Sequence, residues 1–304
     1  MKEKIAVLAG GPSCEREISL ISGQAVYDAL SALGYPVVMI DPMGDFMDTL
    51  KKENVSLVFI ALHGTFGEDG TIQRLLEKEG ISYTGPGPQA SEIAFNKEAA
   101  QRLFHRHGIL VPPLFVLTSK EDISKQPPFG FPLVVKPAKA GSSVGVSILR
   151  NPEGYAQACE NAFQYSDVVL VEKYIRGREL TVGILGQEAL PVVEVIADRE
   201  FYDFQAKYKD SGTRYEFPAR LTEAERHSVV ETALSAYHAL ESEVMSRVDI
   251  ILSEEDGQPY VLEVNTIPGL TPKSLLPKAA SAAGVSFSEL CVKIMGLSKT
   301  RVYT

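Results

Sequence analysis

RVDIILSEEDGQPYVLEVN, residues 247–265, decides the fold. Two apolar runs flank Glu255-Asp256-Gly257, which suits a three-residue hairpin loop with glycine at the left-handed position. With that loop, Asp249 falls opposite Glu263. The two-residue period of a strand then puts Asn265 on the face of Glu263, while Leu262 and Val264 point the other way. Arg247, two residues before Asp249, shares its face. A bulge would shift this pairing by one. Two carboxylates and an amide thus converge on one patch, which is costly to bury unless cations neutralise it. Oxygen donors without His or Cys favour Mg²⁺ or Mn²⁺, and Mg²⁺ brings substrate phosphates with it. The competing reading is a merely polar sheet face.

Beyond the hairpin, LEVNTIPGLTPKSLLPKAA (262–280) reads as a buried strand that ends in a working loop. The bulk numbers suit an ordinary soluble globular protein. The chain has 304 residues, 45% hydrophobic and 23% charged, enough for two or three cooperating domains. A net charge of −9 without a Lys/Arg block argues against a nucleic-acid or membrane-surface binder. No apolar run approaches the ~20 residues of a membrane span. MKEKIAVLAGG reads as a first strand rather than a signal peptide. Three distant cysteines, Cys14, Cys159 and Cys291, fit a reducing cytoplasm. The five histidines show no metal-ligand spacing, and His105 and His107 read as a solvated helix end.

Strands are expected at 5–9, 37–40, 57–62, 133–136, 168–174, 179–185 and 192–196. Apolar residues at helical spacing predict helices over 19–34 and 92–108, each stopping at a glycine. The first ~85 residues are therefore βαβ-like with a parallel sheet. Gly85-Pro86-Gly87-Pro88 punctuates the chain and marks a domain boundary. The expected division is 1–86, 87–180 and 181–304. Within the last unit, 200–217 is rich in Tyr, Phe and charge and keeps no period. It is an exposed loop or a mobile lid that closes over phosphate.

Neither GxxxxGK[ST] nor GxGxxG occurs where a nucleotide fold would need it. A phosphate cradle must lie elsewhere. KPAKAGSSVGVS (136–147) follows a strand and offers Lys136, two glycines and two serines to an anion. Alone, it is equally a glycine-rich hairpin. VEKYIRGREL (171–180) sets Glu172 at a strand end, where it accepts from an adenine amine or stands on a solvated edge. In GGPSCEREIS (10–19), Glu15 precedes a helix that Ser13 could cap. ALHGTFGEDG (61–70) places His63 after a strand, where ligands meet the sheet of an α/β domain.

Taken in order, these segments resemble the D-alanine–D-alanine ligase family of the ATP-grasp superfamily, over nearly the whole chain. GGPSCEREISL and ALHGTFGEDG resemble its substrate loops, and KPAKAGSSVGVS its phosphate loop. EKYIRGRELTV resembles its adenine-binding strand, and YDFQAKY its lid. RVDIIL with LEVNTIPGLTPKSLLPKAA resembles its metal and second-substrate region. The resemblance implies a three-domain α/β ATP-grasp fold with an N-terminal parallel-sheet domain. It also implies synthesis of D-alanyl-D-alanine through an acyl phosphate, for peptidoglycan, by a cytoplasmic homodimer. Lys97, Lys136, Glu172, Lys173, Ile175 and Glu179 would bind ATP, with Lys207 reaching its phosphates. Asp249, Glu263 and Asn265 would hold two Mg²⁺ or Mn²⁺ ions. Glu15 would take the ammonium of the first D-alanine, with His63 nearby. Arg247 and the Gly269 N–H would stabilise the tetrahedral oxyanion. Ser274 and Leu275 would hold the carboxylate of the second D-alanine. Glu15, Ser142 and Tyr208 would form a hydrogen-bonded set that orients the loops.

The chain departs from the family pattern at a few positions. Ile267 stands where many members have Ser, Pro272-Lys273 where many have Ser-His, and Ala140 where an acidic residue is common. Tyr208 matches the members that accept D-alanine rather than D-lactate as second substrate. Two competing readings are a ligase for another acid–amine pair, including a depsipeptide former, and a nucleotide-binding regulator without turnover.

Overall fold

The computed structural model describes residues 3–196 and 213–299. Three sheets organise them. The first is parallel and contains β1 (Ile5–Leu8), β2 (Val37–Ile40), β3 (Leu57–Ile60) and β4 (Ser82–Tyr83), in the order β2-β1-β3-β4. Its crossovers are α1 (Arg16–Ala32), α2 (Phe46–Lys52) and α3 (Thr71–Lys78). Every residue of β1 and β3 is buried, as expected for strands covered on both faces.

The second sheet is antiparallel, in the order β5-β8-β6-β7, from β5 (Leu114–Leu117), β6 (Leu133–Pro137), β7 (Ser147–Leu149) and β8 (Val169–Lys173). The third runs β12-β11-β9-β13-β14, with β10 paired to β9. Its strands are β9 (Gly177–Leu185), β10 (Glu188–Ala189), β11 (Val193–Ile196), β12 (Arg214–Glu216), β13 (Met245–Ser253) and β14 (Pro259–Asn265). The segment 200–217 thus ends in sheet, with Glu216 opposite Glu194. Its residues 200–212, with Lys207 and Tyr208, lie outside the described residues.

Three apolar cores hold these layers together. The N-terminal sheet shares its core with α8 (Leu275–Ala282) and α9 (Phe287–Ser298), so the end of the chain returns to its beginning. The third sheet packs against α4 (Pro88–Phe95), α5 (Lys97–Arg106) and α7 (Glu223–Ala239). The second sheet is covered by α6 (Tyr155–Ala162). Among the described residues, no single helix is long and apolar enough to cross a membrane.

Two expectations needed correction. The helix over 92–108 is two helices, broken at Asn96, whose backbone is extended and whose side chain caps the second by accepting from the Ala99 N–H at 3.4 Å. Apolar spacing continues across the break because both helices bury the same side, so periodicity alone hides it. The 247–265 hairpin turns over four residues, 254–257, with Ser253 N–H bonded to the Gln258 carbonyl at 2.9 Å. That longer loop shifts the register by one. A bulge at Leu262 shifts it back, since Ile250 pairs with Val261 and Asp249 with Glu263. The expected Asp249–Glu263 pairing therefore holds, but Leu262 now lines the same cavity as Glu263 instead of pointing away.

Candidate active site

Two cavities, of about 360 and 370 Å³, share Lys97, Ala140 and Glu263 in their walls and so form one cleft. The first lies beyond the carboxyl ends of β1 and β3. Ser19 ties the two loops there: its hydroxyl accepts from the Gly10 N–H and donates to the Ala61 carbonyl, both at 2.8 Å. Ser13 does not cap α1. Its hydroxyl accepts from the Glu15 N–H at 3.1 Å, and the helix starts at Arg16. Glu15 is 8% exposed, and its carboxylate accepts from the Ser142 hydroxyl across the cleft. Gly64 and Gly141 make room for it: a Cβ on either would lie within 2.7 Å and 2.4 Å of Glu15 Oε2 respectively.

His63 is buried, with Nε2 3.0 Å from the Ser22 hydroxyl and its ring also bonded to the Ile267 carbonyl. Burial pushes the imidazole down to about 4, and the Arg247 charge adds to this against the Ile267 bond. It is a neutral strut between α1 and the loop after β14. Glu68, absent from the sequence-level candidates, also lines this cavity and accepts from the Gly64 N–H at 2.9 Å. Burial and then the neighbouring Glu15 push its carboxyl up to about 8. Its only sequence signal was a place in ALHGTFGEDG, five residues after His63.

The face shared by β13 and β14 forms the floor between the cavities. Arg247 grips Asp249 with two bonds, Nε to Oδ1 at 2.8 Å and Nη2 to Oδ2 at 2.6 Å. Thr181 on β9, directly opposite, donates to Asp249 Oδ1 at 2.7 Å, and Asn265 Nδ2 donates to Oδ2 at 3.0 Å. Asn265 is also 3.5 Å from Glu263 Oε1. Lys97 stands 3.1 Å from Glu263 Oε2 and donates to the Ala140 carbonyl at 2.7 Å. Arg247, Asp249, Glu263 and Asn265 therefore meet as the alternation predicted. Among the described residues no three His, Cys, Asp or Glu gather as a metal cage. Two carboxylates and one amide oxygen still fit Mg²⁺ or Mn²⁺, which take few protein ligands when phosphate completes the shell.

The second cavity lies between the second and third sheets. Lys136, Glu172, Lys173, Ile175 and Glu179 all line it. Glu172 is 2% exposed and sits mid-sheet, flanked by Leu114 and Val134, so it is no solvated edge. It pairs with Lys136 at 2.6 Å. Val134, Ile148, Ile251 and Leu262 supply apolar walls. The loop 138–146 joins β6 to β7, and Ser142, Ser143 and Gly145 all have positive φ, which turns successive main-chain groups toward one side.

At the far end of the first cavity stand Gly269, Ser274 and Leu275. Ser274 precedes α8 without a side-chain capping bond; its hydroxyl accepts from the Thr271 N–H at 3.2 Å and is 2.9 Å from the Thr271 hydroxyl. The N-terminus of α8 therefore faces a cavity, the setting that favours a carboxylate. Lys273 lines the same wall and is exposed.

Two antiparallel sheets closed on one cavity, whose acidic floor continues into a second cavity with a carboxylate at one end and a helix N-terminus at the other, define an ATP-grasp ligase. Solved structures agree. The chain matches the D-alanine–D-alanine ligase of Bacillus anthracis with a TM-score of 0.86 and 36% identity, covering 98% of this chain and 97% of that one. The same Bacillus anthracis enzyme complexed with ATP matches at 0.85 and 33% identity over 98% and 97% of the two chains. The family models for the D-ala D-ala ligase N-terminus and C-terminus match residues 42–86 and 103–296. The D-alanine–D-alanine ligase of Citrifermentans bemidjiense is 46% identical over 301 residues, 99% of this chain and 98% of its own length. The chain belongs to the D-alanine–D-alanine ligase family.

Proposed function

We propose that the chain is an ADP-forming ligase that joins two D-alanines into D-alanyl-D-alanine for peptidoglycan precursors. The observation that carries this reading is the joined cleft, with Lys97 and Glu263 at the point where both cavities meet. A γ-phosphate arriving from one side would there face a carboxylate held on the other. The first D-alanine carboxylate oxygen attacks the γ-phosphorus of ATP, the bond to the bridging oxygen breaks, and ADP leaves. The amine of the second D-alanine, having lost a proton, attacks the acyl carbon. The carbon–oxygen bond to phosphate then breaks, giving dipeptide and inorganic phosphate.

Most of what the protein contributes is position and charge. Glu15, fixed by Ser142, receives the ammonium of the first D-alanine, with His63 as a strut. Lys97, Lys136 and Lys207 balance phosphate charge, Glu172, Lys173 and Ile175 hold the base, and Glu179 the ribose. Asp249, Glu263 and Asn265 would hold two Mg²⁺ or Mn²⁺ ions, which when bound supply charge neutralisation at the phosphates. Arg247 lies beside that set and, with the Gly269 N–H, faces the oxyanion of the second step. The α8 N-terminus with Ser274 and Leu275 takes the second carboxylate. Tyr208, outside the described residues, would complete the Glu15–Ser142 set.

A cytoplasmic homodimer and a division into units at 1–86, 87–180 and 181–304 belong to the same proposal; of these bounds, only the one at 86 coincides with the end of a family-model match. Sedimentation tests the first and limited proteolysis the second. ADP release against a panel of D- and L-amino acids tests the function. Turnover with D-alanine alone is expected. Release with another acid–amine pair and none with D-alanine would overturn it.

A further inference from the structure

Helix α5 presents Lys97 and Gln101 one turn apart and so on one face. Lys97 reaches the junction of the two cavities. Gln101, 2% exposed, reaches the second sheet instead: its Nε2 donates to Glu172 Oε1 at 2.6 Å. Lys136 Nζ meets that same oxygen at 2.6 Å. Chemistry fixes the amide's orientation, because the reverse would set its carbonyl oxygen against a carboxylate. In this orientation Gln101 Oε1 is buried with no hydrogen-bond partner among the described residues. An orphaned buried acceptor destabilises the fold, and an apolar side chain of the same length would avoid it. The orphaned acceptor therefore offsets much of what the bond to Glu172 contributes to folding, and stability alone is a weak reason for an amide here.

The reason lies at Glu172. Two donors on Oε1, from a strand and a helix, fix the carboxylate's rotation and leave Oε2 for the cavity that Glu172 lines. A carboxylate oxygen accepts from an N–H and repels a carbonyl. We propose that Gln101 is a positioning residue which, through Glu172, makes this cavity select a purine with an exocyclic amine at position six over one with an oxygen there. The inference rests on reading this cavity as the ATP site.

The test is Gln101→Met, which keeps the length and removes both the donor and the orphaned acceptor. Binding of ATP and of ITP is measured by calorimetry on the full chain without D-alanine, alongside thermal melting and steady-state kinetics. The wild type should prefer ATP. In Gln101→Met the ATP Kd should rise roughly tenfold, the loss of one charge-assisted bond, with ITP changed by less than about twofold. The melting temperature should fall by no more than a few degrees, because loss of the donor is offset by loss of the orphaned acceptor, and kcat at saturating ATP should be unchanged. Gln101→Glu, which sets a second carboxylate against Glu172, should lower the ATP preference as well and serves if the first variant does not fold. A folded variant with the wild-type preference, or with both nucleotides weakened equally, overturns the inference. So does a wild type that binds both alike. A wild type that binds neither nucleotide instead sinks the ATP reading itself.

Discussion

One methyl group at position 141 tests how the first D-alanine is held. The Gly141 backbone is not in the left-handed region, so Gly141→Ala adds no backbone strain, and a lost glycine stabilises by about 0.4–1 kcal/mol through the unfolded chain. The new Cβ, however, would lie 2.4 Å from Glu15 Oε2 and 3.2 Å from its Cδ. The carboxylate has little room to retreat, because Gly64 abuts it as well. Glu15 must swing away and release the Ser142 hydroxyl. A hydrogen bond to a charged group contributes about 1.5–3 kcal/mol, and at 1.4 kcal/mol per decade its loss is roughly 10- to 140-fold. We expect that loss in kcat/KM for D-alanine, in an ADP-release assay at saturating ATP, with the melting temperature lowered by only a few degrees because the lost glycine offsets part of the lost bond. Gly130→Ala, which meets no atom within 4 Å, is the matched control and should behave as wild type. Wild-type kcat/KM in Gly141→Ala would refute the argument that a confined Glu15 carboxylate positions the substrate.

Glu263→Gln and Asp249→Asn should each abolish ADP formation while the chain stays folded, because on the proposed reading these side chains would hold the ions that neutralise phosphate charge, an effect of several kcal/mol on the transition state. Near-normal turnover at ordinary Mg²⁺ in either variant counts against the metal face. His63 is held down to about 4 from its ordinary 6.5, so the unfolded chain takes up a proton that the folded chain refuses. Its contribution is intact above the unfolded value and lost as pH falls from there toward the folded one, by about 2 kcal/mol near pH 5. Urea unfolding of His63→Gln should therefore show a flatter fall in stability between neutral pH and that point, and an unchanged slope would mean that His63 titrates normally. Tyr208→Phe should shift product from D-alanyl-D-alanine toward D-alanyl-D-lactate when both second substrates compete, more in acid than at neutral pH. An identical product ratio at both would remove Tyr208 from the choice.

Much of this site was legible because strand alternation converts spacing into geometry. Arg247, Asp249, Glu263 and Asn265 were placed on one face from periodicity, and two opposing one-residue errors, the loop length and the bulge, left that face intact. Helix ends at Gly34 and Gly108 were legible for a similar reason, since both glycines adopt the positive φ that a helix terminus favours. Contacts between distant segments were not legible. Nothing local to ALHGTFGEDG shows that Glu68 sits beside Glu15, and nothing in KEAAQRLF shows that Gln101 rather than Lys97 meets Glu172. The Asn96 break was missed because a cap interrupts the backbone without interrupting the apolar stripe.

The departures from the family pattern sort themselves by what each side chain touches. Ile267 is 1% exposed and belongs to the core shared by the N-terminal sheet and the C-terminal helices, with Gly85 as a neighbour. It lines the first cavity, and its main-chain carbonyl, which any residue would supply, holds His63. An apolar side chain there strengthens the packing beneath the cleft without altering its polar lining. Lys273 is different, because it is exposed and lines the cavity wall next to the α8 N-terminus. Its charge adds to the burial that lowers Lys278, whose ammonium stands 3.5 Å from the centre of the Tyr215 ring. Positive charge therefore gathers at the end of the cleft assigned to the second carboxylate, alongside a helix terminus of the same sign. That arrangement compensates for the missing Ser-His pair by field rather than by directed hydrogen bonds. On the proposed reading it would hold a carboxylate and leave the identity of the attached nucleophile to the opposite wall, where Glu15 and Ser142 meet.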